Sequence, residues 1–183
     1  MSNESRYLNT AETISELIDR LTDYSLLWLD TEVADWHTEN PRLSLIQVLI
    51  NGDDITRESS YVLDVLDRPA ITTEFIDRIM ANPQIEKVFH NANFDRKYLG
   101  KDKAKNVTCT YKIARRITKQ ALGASNLKLK TLAVELCDFN RSEIEQEQQS
   151  DWGRRPLSKS QFKYAQMDVV YLAAIHQYLL KFQ

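Results

Sequence analysis

Cysteine is scarce in this chain of 183 residues: Cys109 and Cys137 stand far apart, and neither belongs to a CxxC pair. That argues against a disulfide framework and against a thiolate zinc site. Long apolar runs are missing as well, and no stretch approaches the roughly 18 residues that a membrane helix needs. The opening segment MSNESRYLNT lacks the apolar core of a secretory signal or anchor, so a cytoplasmic location is expected. No internal repeat and no composition break divides the chain, which predicts one domain over residues 1–183. A composition of 43% hydrophobic and 27% charged residues is that of an ordinary soluble globular domain.

The formal net charge of −2 hides an asymmetry. Between Arg96 and Lys130 eleven Lys or Arg residues face a single acid, Asp102, whereas from Thr131 to Asp151 six acids face Arg141 alone. The basic stretch is either a solvated helical face or a footprint for a polyanion such as nucleic acid.

Hydrophobic periodicity outlines the elements. The stretch TAETISELIDRLTDY carries Ile14, Leu17, Ile18 and Leu21 at helical spacing, with Thr10 or Thr13 as cap. SLLWLDTEV, RLSLIQVLI and SYVLDV read as strands, the latter two joined by the turn-like NGDD, an antiparallel start to a sheet. ITTEFIDRIMAN is an amphipathic helix that Pro83 stops. IEKVFH is a fourth strand, NANFDRKYLG a short helix ending at Gly100, and NVTCT a fifth strand. The helical patterns YKIARRITKQAL and NLKLKTLAVELCD follow. Residues 140–151 are polar, predicting a connector or exposed helix. The final helix begins with capping-box spacing at Ser158 and Gln161. This order predicts an α/β domain around a mixed sheet.

Four acids and a tyrosine occupy suggestive positions. In WLDTEVADW, Asp30 and Glu32 are two apart at a strand end, so both point to one face. They are either solvent-exposed or gathered around a cation, because like charges so close raise one another's pKa. In VFHNANFD, Asp95 follows a strand and either stabilises a helix start or serves the same cation. His90 and Asn91 lie at that strand's exit, where ligand contacts gather in open α/β sheets and where a structural histidine is equally at home. In KYAQMDVVYL, Asp168 lies one turn after Tyr164 and in line with the apolar Leu172, Ile175 and Leu179. A carboxylate on that stripe sits at its exposed edge or has a partner.

Together these motifs resemble the DEDD 3′–5′ exonucleases of the tyrosine subclass. The segment SDWGRRPLSKSQFKYAQMDVVYL, residues 150–172, is similar to the third motif region of ribonuclease D, and ASNLKLKTLAVEL to the helix before it. The resemblance spans roughly residues 20–180. It implies an RNase H-like fold with a five-stranded mixed sheet flanked by helices, and two divalent ions held by Asp30, Glu32, Asp95 and Asp168. Tyr164 would orient the attacking water. Oxygen ligands favour Mg²⁺ or Mn²⁺. The implied activity is a 3′–5′ exoribonuclease that releases nucleoside 5′-monophosphates from tRNA precursors or other small structured RNAs. His90, Asn91, Lys128, Arg154 and Arg155 are the expected substrate contacts, and Trp152 a packing residue. Longer ribonuclease D proteins carry C-terminal helical RNA-binding modules, and none is expected in residues 1–183. The same carboxylates serve DNA exonucleases of the proofreading or Werner-like type, so DNA stays open as a substrate. A non-catalytic nucleic-acid-binding protein on a nuclease fold is the alternative of another class; such proteins usually lose a metal ligand, and all four acids are present here. Oligomeric state is left open by the sequence.

Overall fold

A computed structural model describes residues 6–144 and 146–182; the start of the chain and Glu145 of the polar connector lie outside the described residues. Three strands form an antiparallel meander: β2 (Leu26–Ala34), β3 (Arg42–Leu49) and β4 (Ser60–Asp64). β5 (Glu86–Phe89) and β6 (Val107–Cys109) extend it in parallel beyond β2. Among the described residues the expected five strands become six, with β1 (Tyr7–Leu8) at one edge, in the order β1-β4-β3-β2-β5-β6. The extra edge strand β1 is only Tyr7–Leu8, paired with Val62 and Leu63. Two residues are too few to show an alternation, so periodicity had nothing to register.

Alternation along the strands sends two sets of side chains to opposite faces. Leu27, Leu29, Ile46, Val48 and Leu63 pack against α1 (Ala11–Leu21) and α2 (Pro69–Phe75), which runs on through one π-helical stretch at Ile76–Met80. The buried face of α1 is Ile14, Leu17, Ile18 and Leu21, and Thr10 caps it by accepting from the Thr13 amide at 3.3 Å. On the other face, Trp28, Leu49 and Val88 meet Val169, Val170, Leu172 and Ala173 of α6 (Lys159–Leu180). Helices α3 (Thr110–Ile117), α4 (Lys119–Leu122) and α5 (Leu129–Leu136) cover the far side of α6 through Ala114, Leu122, Leu132 and Ala133. Thus α6 is buried on nearly all sides, and the question raised by Asp168 on an apolar stripe is answered by burial rather than by an exposed edge. No helix among the described residues is long and apolar enough to cross a membrane.

Two expected helices are altered by residues with positive φ. The pattern 111–122 is broken at Thr118, φ 83°, whose hydroxyl caps α4 by accepting from the Ala121 amide. Residues 91–100 form turns and a 3₁₀ turn at Asp95–Lys97, bounded by Asn91 (φ 65°) and Gly100 (φ 89°). The connector 140–151 contains a 3₁₀ turn at Arg141–Glu143.

The capping box at α6 forms as expected: the Ser158 hydroxyl accepts from the Gln161 amide at 3.0 Å, and Gln161 Oε1 accepts from the Ser158 amide at 2.9 Å. Ser158→Ala is expected to cost about 1 kcal/mol, a drop of about 2–4 °C in thermal midpoint by calorimetry for a domain of this size.

Candidate active site

Strand β2 outruns its neighbour β5, which pairs with it only over Leu26–Trp28. The protruding end carries Asp30 and Glu32 on the face that α6 covers. A register shift follows at Glu32/Val33, a local bend of the kind that re-aims side chains beside active sites. From the opposite wall, α6 presents Asp168 and, one turn earlier, Tyr164. One oxygen from each of Asp30, Glu32 and Asp168 lies within 4.8 Å of the others. Glu32 and Asp168 are 8% and 5% exposed, and Asp30 is more open. Asp95 stands beside this group, 2% exposed, its Oδ1 accepting from the Thr31 hydroxyl at 2.7 Å. Thr31, the residue between the two strand acids, was not singled out by the sequence.

The electrostatics are those of crowded anions. Burial, and then the charges of Asp95 and Asp168, push Asp30 well above the usual carboxylate range. Burial, followed by Asp30 and Asp168, does the same to Glu32. Burial also raises Asp95 and Asp168, the latter eased by Lys130. The Lys130 Nζ lies 3.3 Å from Asp168 Oδ1 and 3.3 Å from the centroid of the Tyr164 ring. The ion pair lacks hydrogen-bond alignment, so Asp168 Oδ1 is buried without a hydrogen-bond donor. Burial and the charges of Asp168, Glu32 and Asp30 drive the Tyr164 phenol far upward. Three converging hard oxygens, in a cluster where Asp168 Oδ1 has an ammonium 3.3 Å away but no hydrogen bond, fit a divalent cation. The cluster holds no His or Cys, which favours Mg²⁺ or Mn²⁺ over zinc.

The expected substrate contacts divide. Asn91, Lys128 and Arg154 are exposed. His90 is not available to a ligand, since both ring nitrogens have protein partners. Its Nε2 lies 2.9 Å from the Leu127 carbonyl oxygen and Nδ1 2.9 Å from the Thr110 hydroxyl. Burial pushes its pKa down to about 4. The ring is therefore neutral, with Nε2–H donating to Leu127 and Nδ1 accepting from Thr110. Arg155 is likewise committed elsewhere. Its Nε and Nη2 donate to the two oxygens of Asp64 at 2.6 and 2.8 Å, and its other donors go to Ser44 Oγ and the carbonyls of Trp152 and Arg154. Burial would raise Asp64, but hydrogen bonds from Arg155 and Tyr7 outweigh it and hold that carboxyl below its usual range. Arg155 thus supplies a fork that ties the approach to α6 onto β4. Trp152 is buried as expected, its ring 5.7 Å from that of Tyr164. Lys130, counted only within the basic stretch, is the residue sequence reasoning missed. Its signal was a lysine set among Leu129, Leu132 and Ala133 on an otherwise apolar helix start.

Known proteins resemble this chain in sequence and in fold. The pattern of a family described as 3′-5′ exonuclease matches residues 5–182. Ribonuclease D of Gluconacetobacter diazotrophicus is 28% identical over 179 residues, 95% of this chain and 42% of that protein. Exosome complex exonuclease RRP6 of Saccharomyces cerevisiae is 26% identical over 173 residues, 94% of this chain and 22% of that protein. The chain therefore spans well under half the length of these curated relatives. Among solved structures, Escherichia coli RNase D, an exoribonuclease involved in structured RNA processing, superposes with a TM-score of 0.73 at 22% identity, covering 96% of this chain and 44% of that one. Brucella melitensis NrnC with bound Mg²⁺ superposes with a TM-score of 0.69 at 24% identity, covering 96% and 78%. Both show the likeness of fold.

Two outcomes follow from the charges. The four acids titrate higher folded than unfolded, so between about pH 4 and their raised values the ion-free native state holds more protons. Its stability must then fall as pH rises. Asp54 and Asp64, which are lowered, are ionised in both states from about pH 5.5 upward and add no slope there, whereas His90 and His176, lowered by burial, stabilise as pH rises and are outnumbered by the four acids. In chelator, the protein should melt higher at about pH 5.5 than at about pH 8, and Mg²⁺ should erase or reverse the difference. Arg155→Met leaves buried Asp64 with the Tyr7 hydroxyl and Arg68, 3.4 Å away, as its remaining partners, and denaturant titration should show a loss of about 3 kcal/mol.

Proposed function

The chain belongs to the 3′–5′ exonuclease family, of ribonuclease D and Rrp6 type, and from that premise we propose a metal-dependent exoribonuclease. It hydrolyses RNA from the 3′ end, releases nucleoside 5′-monophosphates, and trims tRNA precursors or other small structured RNAs. The observation that carries the reading is the convergence of Asp30, Glu32 and Asp168 oxygens within 4.8 Å.

Asp30, Glu32 and Asp168, with Asp95 at their side, would hold two divalent ions, Mg²⁺ or Mn²⁺. Once bound, such ions lower the pKa of water and stabilise the oxygen that leaves the phosphodiester. The rest of the work falls to the chain. Tyr164 is protonated at neutral pH, as a phenol with an ordinary value of about 10 is. Its hydroxyl orients the attacking water through hydrogen bonds and does not act as a base. Trp152, packed against the Tyr164 ring, and the Arg155–Asp64 fork keep that hydroxyl in place. Thr31 holds Asp95 in one orientation through its hydroxyl. Exposed Lys128, Arg154 and the α3 residues Lys112, Arg115 and Arg116 supply positive charge for the phosphate backbone, a contribution that weakens with salt. Two of the relatives, by name a ribonuclease and an exosome exonuclease, support RNA as substrate, while another is named DNA polymerase I; the Mg²⁺ in NrnC supports a divalent ion.

Matched 3′-labelled RNA and DNA oligonucleotides, incubated with Mg²⁺, Mn²⁺ or chelator, test this reading. RNA should be shortened one nucleotide at a time in either ion and left intact in chelator. Asp168→Asn should fall to the chelator level, and Tyr164→Phe should slow release roughly 10²-fold. DNA digested as fast as RNA would overturn the assignment of substrate, and no release in either ion would overturn the enzyme.

A further inference from the structure

Lys130 has no role in the reading above, yet it sits on the carboxylate cluster. Its placement is not explained by its own helix: Lys130 lies in the first turn of α5, where a positive charge opposes the helix dipole. Nor is it a surface residue pairing casually, because its side chain is 23% exposed and Asp168 only 6%. The backbone that carries it is held in position, since the Leu127 carbonyl accepts from His90 Nε2 at the end of β5. The ammonium then has two partners at 3.3 Å, Asp168 Oδ1 and the Tyr164 ring. These have different characters. The ring face offers a cation–π contact. The carboxylate contact lacks hydrogen-bond alignment, so it is a charge–charge attraction that four methylenes of side chain can release. The charge of Lys130 also offsets the raised pKa of Asp30, Glu32 and Asp168 alike.

We propose that Lys130 is the site's own counter-cation: its ammonium neutralises the Asp30–Glu32–Asp168 cluster in the ion-free protein and must give up Asp168 when a divalent ion enters. The inference rests on the metal-binding reading above and adds to it that ion uptake is an exchange. The three acids can be gathered during folding without an ion because one positive charge is already built in. The cost is weaker ion binding, since a dication gains its ligands only by displacing a monocation that has them. The ring of Tyr164 gives the released ammonium a second resting place, so the exchange needs no movement of the backbone.

The test reads ion binding, without RNA. Mn²⁺ is titrated by electron paramagnetic resonance into wild type, Lys130→Met and Lys130→Arg, and each protein is melted in chelator. Lys130→Met should bind Mn²⁺ about tenfold or more tighter than wild type, the size of one neighbouring charge's effect on a carboxylate. Its chelator midpoint should drop, and its Mn²⁺-induced rise in midpoint should exceed that of wild type. Lys130→Arg, which keeps the charge, should bind like wild type. Should Lys130→Met fail to fold in chelator, the wild type still answers. Its Lys130 Nζ–H resonance, assigned by its loss in Lys130→Arg, should move during a Mg²⁺ titration. Equal or weaker Mn²⁺ binding by Lys130→Met, or an Nζ resonance indifferent to Mg²⁺, overturns the counter-cation. Absence of Mn²⁺ binding in every protein overturns the metal-binding reading instead.

Discussion

Mutual repulsion among carboxylates governs this structure. Asp30, Glu32 and Asp168 bring their oxygens within 4.8 Å of one another in a place largely closed to water. Left ionised and alone, such a group would push its two walls apart. The chain counters with raised proton affinity at all four acids, a hydroxyl on Asp95 and an ammonium on Asp168. Each of these is a substitute for a dication, and each is weaker than one. A site arranged this way is electrostatically strained.

The rest of the fold supplies rigidity against that strain. β2 is held by β5 over Leu26–Trp28 and by β3 from Trp28 to Ala34, the two pairings meeting at Trp28. α6 is clamped between the sheet and the α3–α5 layer, with its first turn fixed by a capping box and by Gln161 reaching Ser150 and Asp151. The segment leading into α6 is fastened by Arg155 to Asp64 and Ser44, and by Trp152 to Tyr164. Arg155 and His90 look like ligand-binding residues by type and position. The structure spends both on holding backbone, one on the approach to α6 and the other on the approach to α5, so that the residues that follow them can meet.

How much of this is visible without a fold depends on the distance over which each inference must reach. D-x-E places Asp30 and Glu32 on one face because strand side chains alternate, and Y-x-x-x-D places Tyr164 over Asp168 because a helix turn is about four residues. The α6 capping box is equally local. Asp95 was found by motif likeness, and its tether to Thr31, 64 positions away, was not. His90 and Arg155 were misjudged for the same reason. Their partners are 20, 37, 91 and 111 residues distant, and nothing local in the sequence says that a polar side chain has been taken. Six strands replaced five because a two-residue edge strand has no period to read.

What the sequence by itself determined is the set of elements, the faces its acids share and the family to which its motifs point, all of which follow from periods of two and 3.6 residues and from local hydrogen-bond caps. Only the tertiary structure decided which cations and acceptors each polar group would meet. It turned Lys130 from one charge in a basic stretch into the partner of Asp168, and turned Arg155 from a phosphate ligand into a clamp. The physical reason is that pairing energies depend on separation in space and on exclusion of water, and neither is a property of position along a chain.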